Sequence, residues 1–195
     1  IKMKKIILSA IALMAFAFTN AQSTRFGVKG GLNLSTVVGG DVDNNKTLVG
    51  FHVGGLAEIH VVEKFFIQPE LLYSAQGAKY DGPFGSDGDL KLNYLNIPVL
   101  AKYYIVENKF SVEAGPQLGI LLSSKLDGED FKDYTRSTDL GFNLGAGYNF
   151  TDNFSVGLRY TIGLSPISDN DIDDSEEYYD SAKNSNFQIS LAYKF

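Results

Sequence analysis

The chain has 195 residues, no cysteine and a formal net charge of −6. A chain without cysteine forms no disulfide, no thiolate metal site and no lipid anchor through a cysteine. The acidic balance disfavours nucleic acid as a partner, because neutralising phosphate groups requires clustered lysine and arginine.

The first 21 residues have the three-part layout of a secretory signal peptide. Met3-Lys4-Lys5 is a basic start, residues 6–18 are an apolar run, and Thr19-Asn20-Ala21 offers a cleavage site before Gln22. The apolar run has 13 residues, too few for the roughly 20 of a membrane-spanning helix. We therefore expect residues 1–21 to be a cleaved signal that starts at Met3. Residues 22–195 would then be one mature domain with 14 basic and 23 acidic residues.

Alternation of apolar and polar residues with a period of two dominates the mature chain, which is the pattern of β-strands. It is clearest at the end of the chain, where one face carries Phe187, Ile189, Leu191, Tyr193 and Phe195. Eight such segments are predicted, at roughly 26–34, 48–60, 65–76, 91–105, 110–121, 140–150, 154–164 and 187–195. Each is about as long as a tilted strand that crosses a bilayer.

The predicted connections alternate in length. Tight ones are expected at 61–64, 106–109 and 151–153, and long ones at about 35–47, 77–90, 123–136 and 165–184. Short turns at one end and long loops at the other are typical of an outer-membrane β-meander. With an even number of strands, both termini are then expected on the periplasmic side.

Alternation alone leaves two orientations open, a membrane barrel with the apolar face outside and a soluble periplasmic barrel with that face inside. The apolar face is bulky and almost free of charge, as lipid requires, and the other face is rich in glycine and in charges of both signs. Aromatic residues collect near the short-turn ends, as in an interfacial girdle: Phe65, Tyr103, Phe110, Tyr148, Phe150, Phe154, Tyr193 and Phe195. The sequence therefore predicts an all-β, eight-stranded antiparallel up-and-down transmembrane β-barrel of the outer membrane.

In that orientation, seven charged residues point into the lumen: Lys29, Glu58, Glu70, Lys102, Glu113, Arg159 and Lys194. Polar residues lie between them: Asn33, His52, Gln68, Asn96, Gln117, Asn143, Asn149 and Gln188. Buried charges are costly unless they are paired, and an eight-stranded barrel is just wide enough for side chains to fill. We expect a packed polar network that keeps the barrel rigid. An ion or proton path along the same charges is the alternative.

Residues 67–74, Ile-Gln-Pro-Glu-Leu-Leu-Tyr-Ser, followed by Tyr-Leu-Asn-Ile-Pro-Val-Leu at 94–100, resemble the paired signature of Bacteroidota outer-membrane β-barrel proteins. These are the PorT-like or "porin family" small barrels, similar in outline to the OmpX and OmpA barrels. The resemblance covers residues 22–195 and implies the same fold. Members often carry an acid where this chain has Asn96. The alternation that ends at Phe195 resembles the signal read by the barrel-assembly machinery, so that machinery is an expected partner.

The long segment 165–184 is strongly acidic. Four of its aspartates approach the alternating oxygen ligands of a calcium loop: Asp169, Asp171, Asp173 and Asp180. Asp174 occupies the position that requires glycine in such a loop, and Asp180 replaces a longer glutamate. A solvated loop is expected, with a weak surface Ca²⁺ or Mg²⁺ site as the alternative, and no other metal or cofactor is predicted.

Catalysis by a serine or aspartate paired with histidine needs the base within hydrogen-bond reach of the nucleophile. The chain has two histidines, His52 facing the lumen and His60 near a short turn, and neither lies beside a serine at a recognisable spacing. Both are expected to be structural polar residues, and the protein is not expected to be an enzyme.

The leading hypothesis is a non-enzymatic outer-membrane barrel with a structural or adhesive role, whose acidic loops contact an extracellular or envelope partner. Outer-membrane lipid is its expected surrounding. The second hypothesis is a narrow pore or a transport-associated barrel, including a PorT-like role in protein secretion. The third is a lipid-modifying outer-membrane enzyme.

Overall fold

The computed structural model describes residues 24–39, 46–81, 87–167 and 182–195. The predicted signal peptide lies outside these ranges. The described strands are β1 Thr24–Val38, β2 Lys46–Val62, β3 Phe65–Asp81, β4 Asp87–Val106, β5 Phe110–Leu126, β6 Glu129–Asp130, β7 Thr138–Asn149, β8 Phe154–Gly163 and β9 Lys183–Lys194. One 3-10 turn, Lys132–Tyr134, follows β6.

Eight of these strands form a closed antiparallel barrel. Each long strand pairs with the next along the chain, β5 pairs with β7, and β1 closes the circle by pairing with β9 from Gly27 opposite Lys194 to Val38 opposite Lys183. The remaining strand, β6, has two residues and pairs only with the C-terminal end of β5. The predicted eight-stranded up-and-down barrel is therefore confirmed. No helix in the described ranges is long and apolar enough to cross a membrane.

The apolar face of each strand lies on the outside of the barrel. In β8 the side chains of Leu158 and Tyr160 are 48% and 43% exposed, whereas the alternating Arg159 and Thr161 are 2% and 6% exposed. A soluble barrel would have the opposite arrangement. The fold thus has its apolar face on the outside, as the sequence favoured, and such a surface fits lipid.

The predicted aromatic girdle lies on neighbouring strands at the short-turn end of the barrel. Tyr148 lies directly opposite Phe110, and Phe65 and Phe154 lie opposite Tyr103 and Tyr193 in the same way. Rings placed at the level where lipid meets water keep an apolar body in the membrane and a polar edge in the interface.

The strands extend further toward the long-loop end than the sequence predicted. Residues 77–90 were expected to be a loop, but β3 continues to Asp81 and β4 begins at Asp87, with Lys79 opposite Asp89. Similarly, the expected loop 123–136 contains the end of β5, the short strand β6 and the 3-10 turn. Backbone pairing continues beyond the membrane, where lipid no longer imposes the apolar and polar alternation from which the strands were predicted.

We predict that Leu158→Arg lowers the free energy of unfolding by about 2–4 kcal/mol, because Leu158 faces lipid near the middle of β8. The matched change Leu164→Arg, directly after the long-loop end of β8, should cost only about 0–1 kcal/mol. Urea unfolding of the protein in phosphatidylcholine vesicles, followed by circular dichroism, measures both. Equal costs at the two positions would contradict the membrane placement of β8.

Candidate functional site: the charged lumen

Arg159 on β8 links two carboxylates across the lumen. Its terminal nitrogens donate to the two carboxylate oxygens of Glu70 at 2.8 and 2.9 Å, which is a bidentate pair. Its Nε donates to Glu113 Oε1 at 2.8 Å. Lys29 Nζ lies 3.3 Å from Glu70 Oε1, so Glu70 contacts two cations. Since β3 and β8 lie on opposite sides of the barrel, the Arg159–Glu70 pair spans its interior.

A second cluster lies nearer the short turns and surrounds Glu58. Lys102 Nζ donates to Glu58 Oε2 at 2.7 Å, and Lys194 Nζ lies 3.1 Å from both carboxylate oxygens. The hydroxyl of Tyr104 donates to Glu58 Oε2 at 3.0 Å, and Asn149 Nδ2 donates to that hydroxyl at 3.2 Å. Glu58 therefore accepts hydrogen bonds from two strands other than its own, β4 and β9.

Gln68 joins the two clusters. Its amide nitrogen donates to Glu70 Oε1 at 2.6 Å, and its amide oxygen accepts from Lys102 Nζ at 3.1 Å. The structure thus brings all seven charged residues named from the sequence into one connected network. The structure adds the partner of each charged residue, because alternation predicts that a side chain points inward but not which residue it contacts.

Removing these charges from water costs free energy, and the close pairing of cations with carboxylates offsets that cost. Glu70 is 3% exposed and Arg159 is 2% exposed, so neither charge retains much hydration. Buried ion pairs gain little net stability, but removing one partner leaves an uncompensated charge and is strongly destabilising. The network therefore specifies which strands face one another, because a shift in register would separate several pairs at once.

The structure contradicts one part of the sequence reasoning about histidines. His52 Nε2 lies 2.9 Å from Ser190 Oγ, so a histidine and a serine do lie within hydrogen-bond distance. His52 Nδ1 lies 2.9 Å from Asn33 Oδ1. The pair was not predictable from local spacing, because His52 and Ser190 are 138 positions apart in the chain. His60, by contrast, is exposed, and its Nε2 lies 2.8 Å from the carbonyl oxygen of Glu63 in the neighbouring turn.

Glycines in the intervening strand allow these cross-strand contacts. Gly31 of β1 lies opposite both His52 and Ser190, and a Cβ there would be 2.9 Å from the His52 ring. Gly145 of β7 lies in the same way between Glu113 and Arg159. In each case two polar side chains separated by one strand meet over a residue without a side chain.

The long-loop end of the lumen contains a buried apolar cluster, which the sequence analysis missed, beside buried polar side chains such as Ser124 and Asn184. Leu92, Tyr94 and Leu121 form a buried cluster, and Leu90 and Ile167 pack against it. The signal for it is a change of phase in β4. Apolar residues occupy outward positions from Leu95 onward and inward positions before it, although β3 and β4 pair there without a shift in register. The phase change marks the level at which the outer face leaves the lipid.

A cavity of about 30 Å³ lies in the charged half of the lumen. Lys29, Lys102, Lys194 and Glu113 lie in its wall, and Ser190 borders it. This volume admits water molecules but not a solute of the size of a sugar or an amino acid.

The other predicted site residues are placed as follows. The residues predicted to act as the assembly signal lie on the outward face of β9 and directly after it, and all are at least 36% exposed: Phe187, Ile189, Leu191, Tyr193 and Phe195. The four candidate calcium ligands lie outside the described residues: Asp169, Asp171, Asp173 and Asp180. Among the residues that the structure describes, no three histidine, aspartate or glutamate side chains are grouped to hold a metal ion.

Comparison with known proteins agrees with this architecture. A family model described as "Outer membrane protein beta-barrel domain" matches residues 20–169. Ail, the attachment invasion locus protein of Yersinia pestis, solved with the heparin analogue sucrose octasulfate, has a TM-score of 0.52 at 17% identity, over 89% of this chain and 99% of its own. Neisserial surface protein A has a TM-score of 0.52 at 18% identity, over 87% and 97%. Both likenesses establish the fold. No curated protein matches the chain.

We predict that Arg159→Met lowers the free energy of unfolding by about 3–5 kcal/mol, because it leaves Glu70 and Glu113 buried without their strongest partner. The control is Lys91→Met, which breaks an exposed 3.6 Å pair with Asp89 and should cost less than about 1 kcal/mol. Urea titration in phosphatidylcholine vesicles compares the two. A cost at Arg159 no larger than that at Lys91 would show that the network does not hold the barrel together.

Proposed function

Because this chain belongs to the outer membrane protein β-barrel domain family and lies in the outer membrane, we propose that it is a closed, non-enzymatic barrel that acts through its long loops. The observation that carries the proposal is the filling of the lumen. Side chains occupy it at two levels, the ion network around Arg159 and Glu58 and the apolar cluster around Leu92. A barrel without an open axis acts through its outer surface.

The filled lumen favours this proposal over the pore hypothesis. Leu92, Tyr94 and Leu121 are each at most 4% exposed, so an ion that crossed this level would have to displace tightly packed apolar groups. Below it, each lumen carboxylate is bonded to at least one cation at 2.6–3.1 Å. Selective conduction generally requires a ring of like charges or dipoles along an open path, whereas these cations and carboxylates are paired with one another.

The surroundings of the serine–histidine pair favour the non-enzymatic proposal over a lipid-modifying enzyme. Ser190 is 3% exposed and His52 is 1% exposed. Asn33 Oδ1 also accepts from Gln188 Nε2 at 3.2 Å, so the pair belongs to a wider polar cluster. A nucleophile must meet its substrate, and this hydroxyl is enclosed by the barrel wall. The pair therefore acts as a structural link between β2 and β9.

The long acidic loops are the proposed contact surface for a partner. The segment 165–184 carries seven acidic residues and one lysine, and loops on a rigid scaffold commonly carry binding functions. Ail, which shares the fold, is described as an attachment protein, and that description supports an adhesive role here. The loops of this chain are mostly acidic, so a partner with a basic or cation-coated surface fits them best.

The route to the outer membrane is part of the same proposal. Residues 1–21 act as the signal for export, and the exposed alternation of β9 is then read by the barrel-assembly machinery. The calcium site at Asp169, Asp171, Asp173 and Asp180 and the PorT-like affiliation remain predictions of the sequence.

We predict that the purified full-length mature protein produces no stable open channels in planar lipid bilayers, because its lumen is filled at two levels. A bacterial porin in the same bilayer serves as the positive control. Sustained conductance steps that grow with salt concentration would reject the packed lumen and favour the narrow-pore hypothesis.

We also predict that replacing the four loop aspartates by asparagine removes partner capture: Asp169, Asp171, Asp173 and Asp180. Chemical crosslinking in intact cells, followed by affinity purification and mass spectrometry, compares this variant with the wild type. The matched control neutralises acids at the short-turn end, with Glu63→Gln, Glu107→Gln and Asp152→Asn, and should capture the same partners as the wild type. Identical capture by all three proteins would refute the role of the acidic loop.

A further inference from the structure

The charges that form the lumen network do not sum to zero. Among the described residues, the network joins four cations to three carboxylates, so one positive charge has no carboxylate of its own: Lys29, Lys102, Arg159 and Lys194 with Glu58, Glu70 and Glu113. A charge that is buried without compensation is strongly destabilising. The surplus charge therefore requires a neutralising group.

The surplus lies in the cluster around Glu58. Both Lys102 and Lys194 bond this one carboxylate, at 2.7 and 3.1 Å. Their other partners, the amide oxygen of Gln68 and the hydroxyl of Tyr104, carry no charge. The rest of the network is balanced, because its two cations contact two carboxylates.

One further carboxylate of the described strands, Asp139 of β7, faces inward but lies too far away to neutralise this charge. Gly145 of the same strand is opposite Glu113, and Asp139 lies six residues from Gly145. Six residues span roughly 20 Å along a strand. The oxygens of Asp139 accept instead from Ser165 Oγ at 2.9 Å and Asn184 Nδ2 at 3.1 Å. Its charge is thus stabilised at the long-loop end.

The cavity of about 30 Å³ lies beside the surplus charge. Lys29, Lys102 and Lys194 lie in its wall, and Glu58 does not. Glu113 is the one carboxylate that the described wall contains, and it is already paired with a guanidinium group at 2.6 Å. The cavity therefore adjoins three lysines and no carboxylate that is free to balance them.

Small residues keep this space open. Ser155, Gly157 and Ala192 form part of the wall, on β8 and β9. A Cβ added at Gly157 would have one heavy atom outside its chain neighbours within 4 Å, the carbonyl oxygen of Ala146 at 3.8 Å. The inward side of Gly157 therefore faces the cavity and not a packed side chain.

Lys29 has a hydrogen-bond donor left for a ligand. Its ammonium group has three N–H donors, and its bonds within the described residues go to the two carboxylate oxygens of Glu70 at 3.3 and 3.5 Å. Both distances are longer than those of ordinary charge-assisted hydrogen bonds. A water molecule in the cavity would satisfy the remaining donor but would leave the surplus charge unbalanced, whereas an anion does both.

We propose that this cavity binds one small monovalent anion, for which chloride is the abundant candidate. The surplus charge determines the sign and valence of the ligand, and a cavity with room for water restricts it to an ion of similar size. The apolar cluster of Leu92, Tyr94 and Leu121 lies between the cavity and the long-loop end. The anion is therefore a resident of the closed lumen and not an ion in transit.

The test follows urea unfolding of the mature protein in phosphatidylcholine vesicles while chloride replaces gluconate at constant ionic strength. Gluconate is too large for the cavity. A ligand that binds only the folded state multiplies the folding equilibrium constant by one plus the ratio of its concentration to its dissociation constant. Above the dissociation constant, each tenfold increase in chloride should therefore raise the folding equilibrium constant about tenfold. A folding equilibrium constant independent of chloride would overturn the proposal, because a lysine that has lost its proton then balances the charge.

Three variants separate the cavity from general effects of salt. Gly157→Val fills the cavity without changing any charge, and Lys194→Gln removes the surplus charge, so each should abolish the dependence on chloride. Gly55→Val is the matched control and should keep the wild-type dependence, because Gly55 is exposed on the outer face and a Cβ there also has one atom within 4 Å, at 3.8 Å. A folded Gly157→Val variant with the wild-type dependence would overturn the site.

Bromide locates the site in the wild type and does not depend on the folding of any variant. Crystals grown with bromide in place of chloride should give an anomalous scattering peak inside the cavity, within hydrogen-bond distance of Nζ of Lys29, Lys102 or Lys194. Bromide peaks confined to the protein surface would overturn the proposal even if the stability depended on chloride.

Discussion

Hydrocarbon offers no hydrogen-bond partner to a peptide group, so a sheet in a membrane must leave no strand edge unpaired. In this chain, β1 meets that requirement by pairing with β9. Twelve residue pairs join these strands without a break, so the wall has no free edge at the seam. Every other feature follows from the closure. The outer face must be apolar, the polar residues of the alternation must point inward, and the narrow lumen must then neutralise the charges that it receives.

The lumen meets this requirement with contacts that connect distant strands. Glu70 and Arg159 come from opposite walls, and Glu58 is bonded to residues of β4 and β9. Such contacts act as struts, because they fix the distance between walls that the backbone ladder connects only around the circumference. Gly31 and Gly145 make such contacts between strands possible. Each leaves a space through which side chains of the two flanking strands meet.

The sequence predicted the barrel and the inward charges well, because lipid imposes a strict period of two on every strand that it contacts. It did not predict the outer ends of β3, β4 and β5, where water lies outside the wall and the period changes phase. The apolar residues Leu92 and Tyr94 carry that change, and reading their phase against Leu95 would have revealed the apolar cluster. The contact of His52 with Ser190 depends on two strand registers at once, and alternation within single segments does not determine them.

The phase change in β4 divides the wall into a lower part, whose outer face contacts lipid, and an upper part, whose outer face contacts water. The lower part has an apolar outer surface and a charged interior. The upper part has a buried apolar cluster of Leu92, Tyr94 and Leu121, as a water-soluble domain does. Bilayer thickness therefore acts on the lower part alone, since only there does the length of the apolar surface have to match the membrane. Sequence change in the upper part is free of that constraint. Surface variation can accumulate there without disturbing how the barrel sits in its membrane.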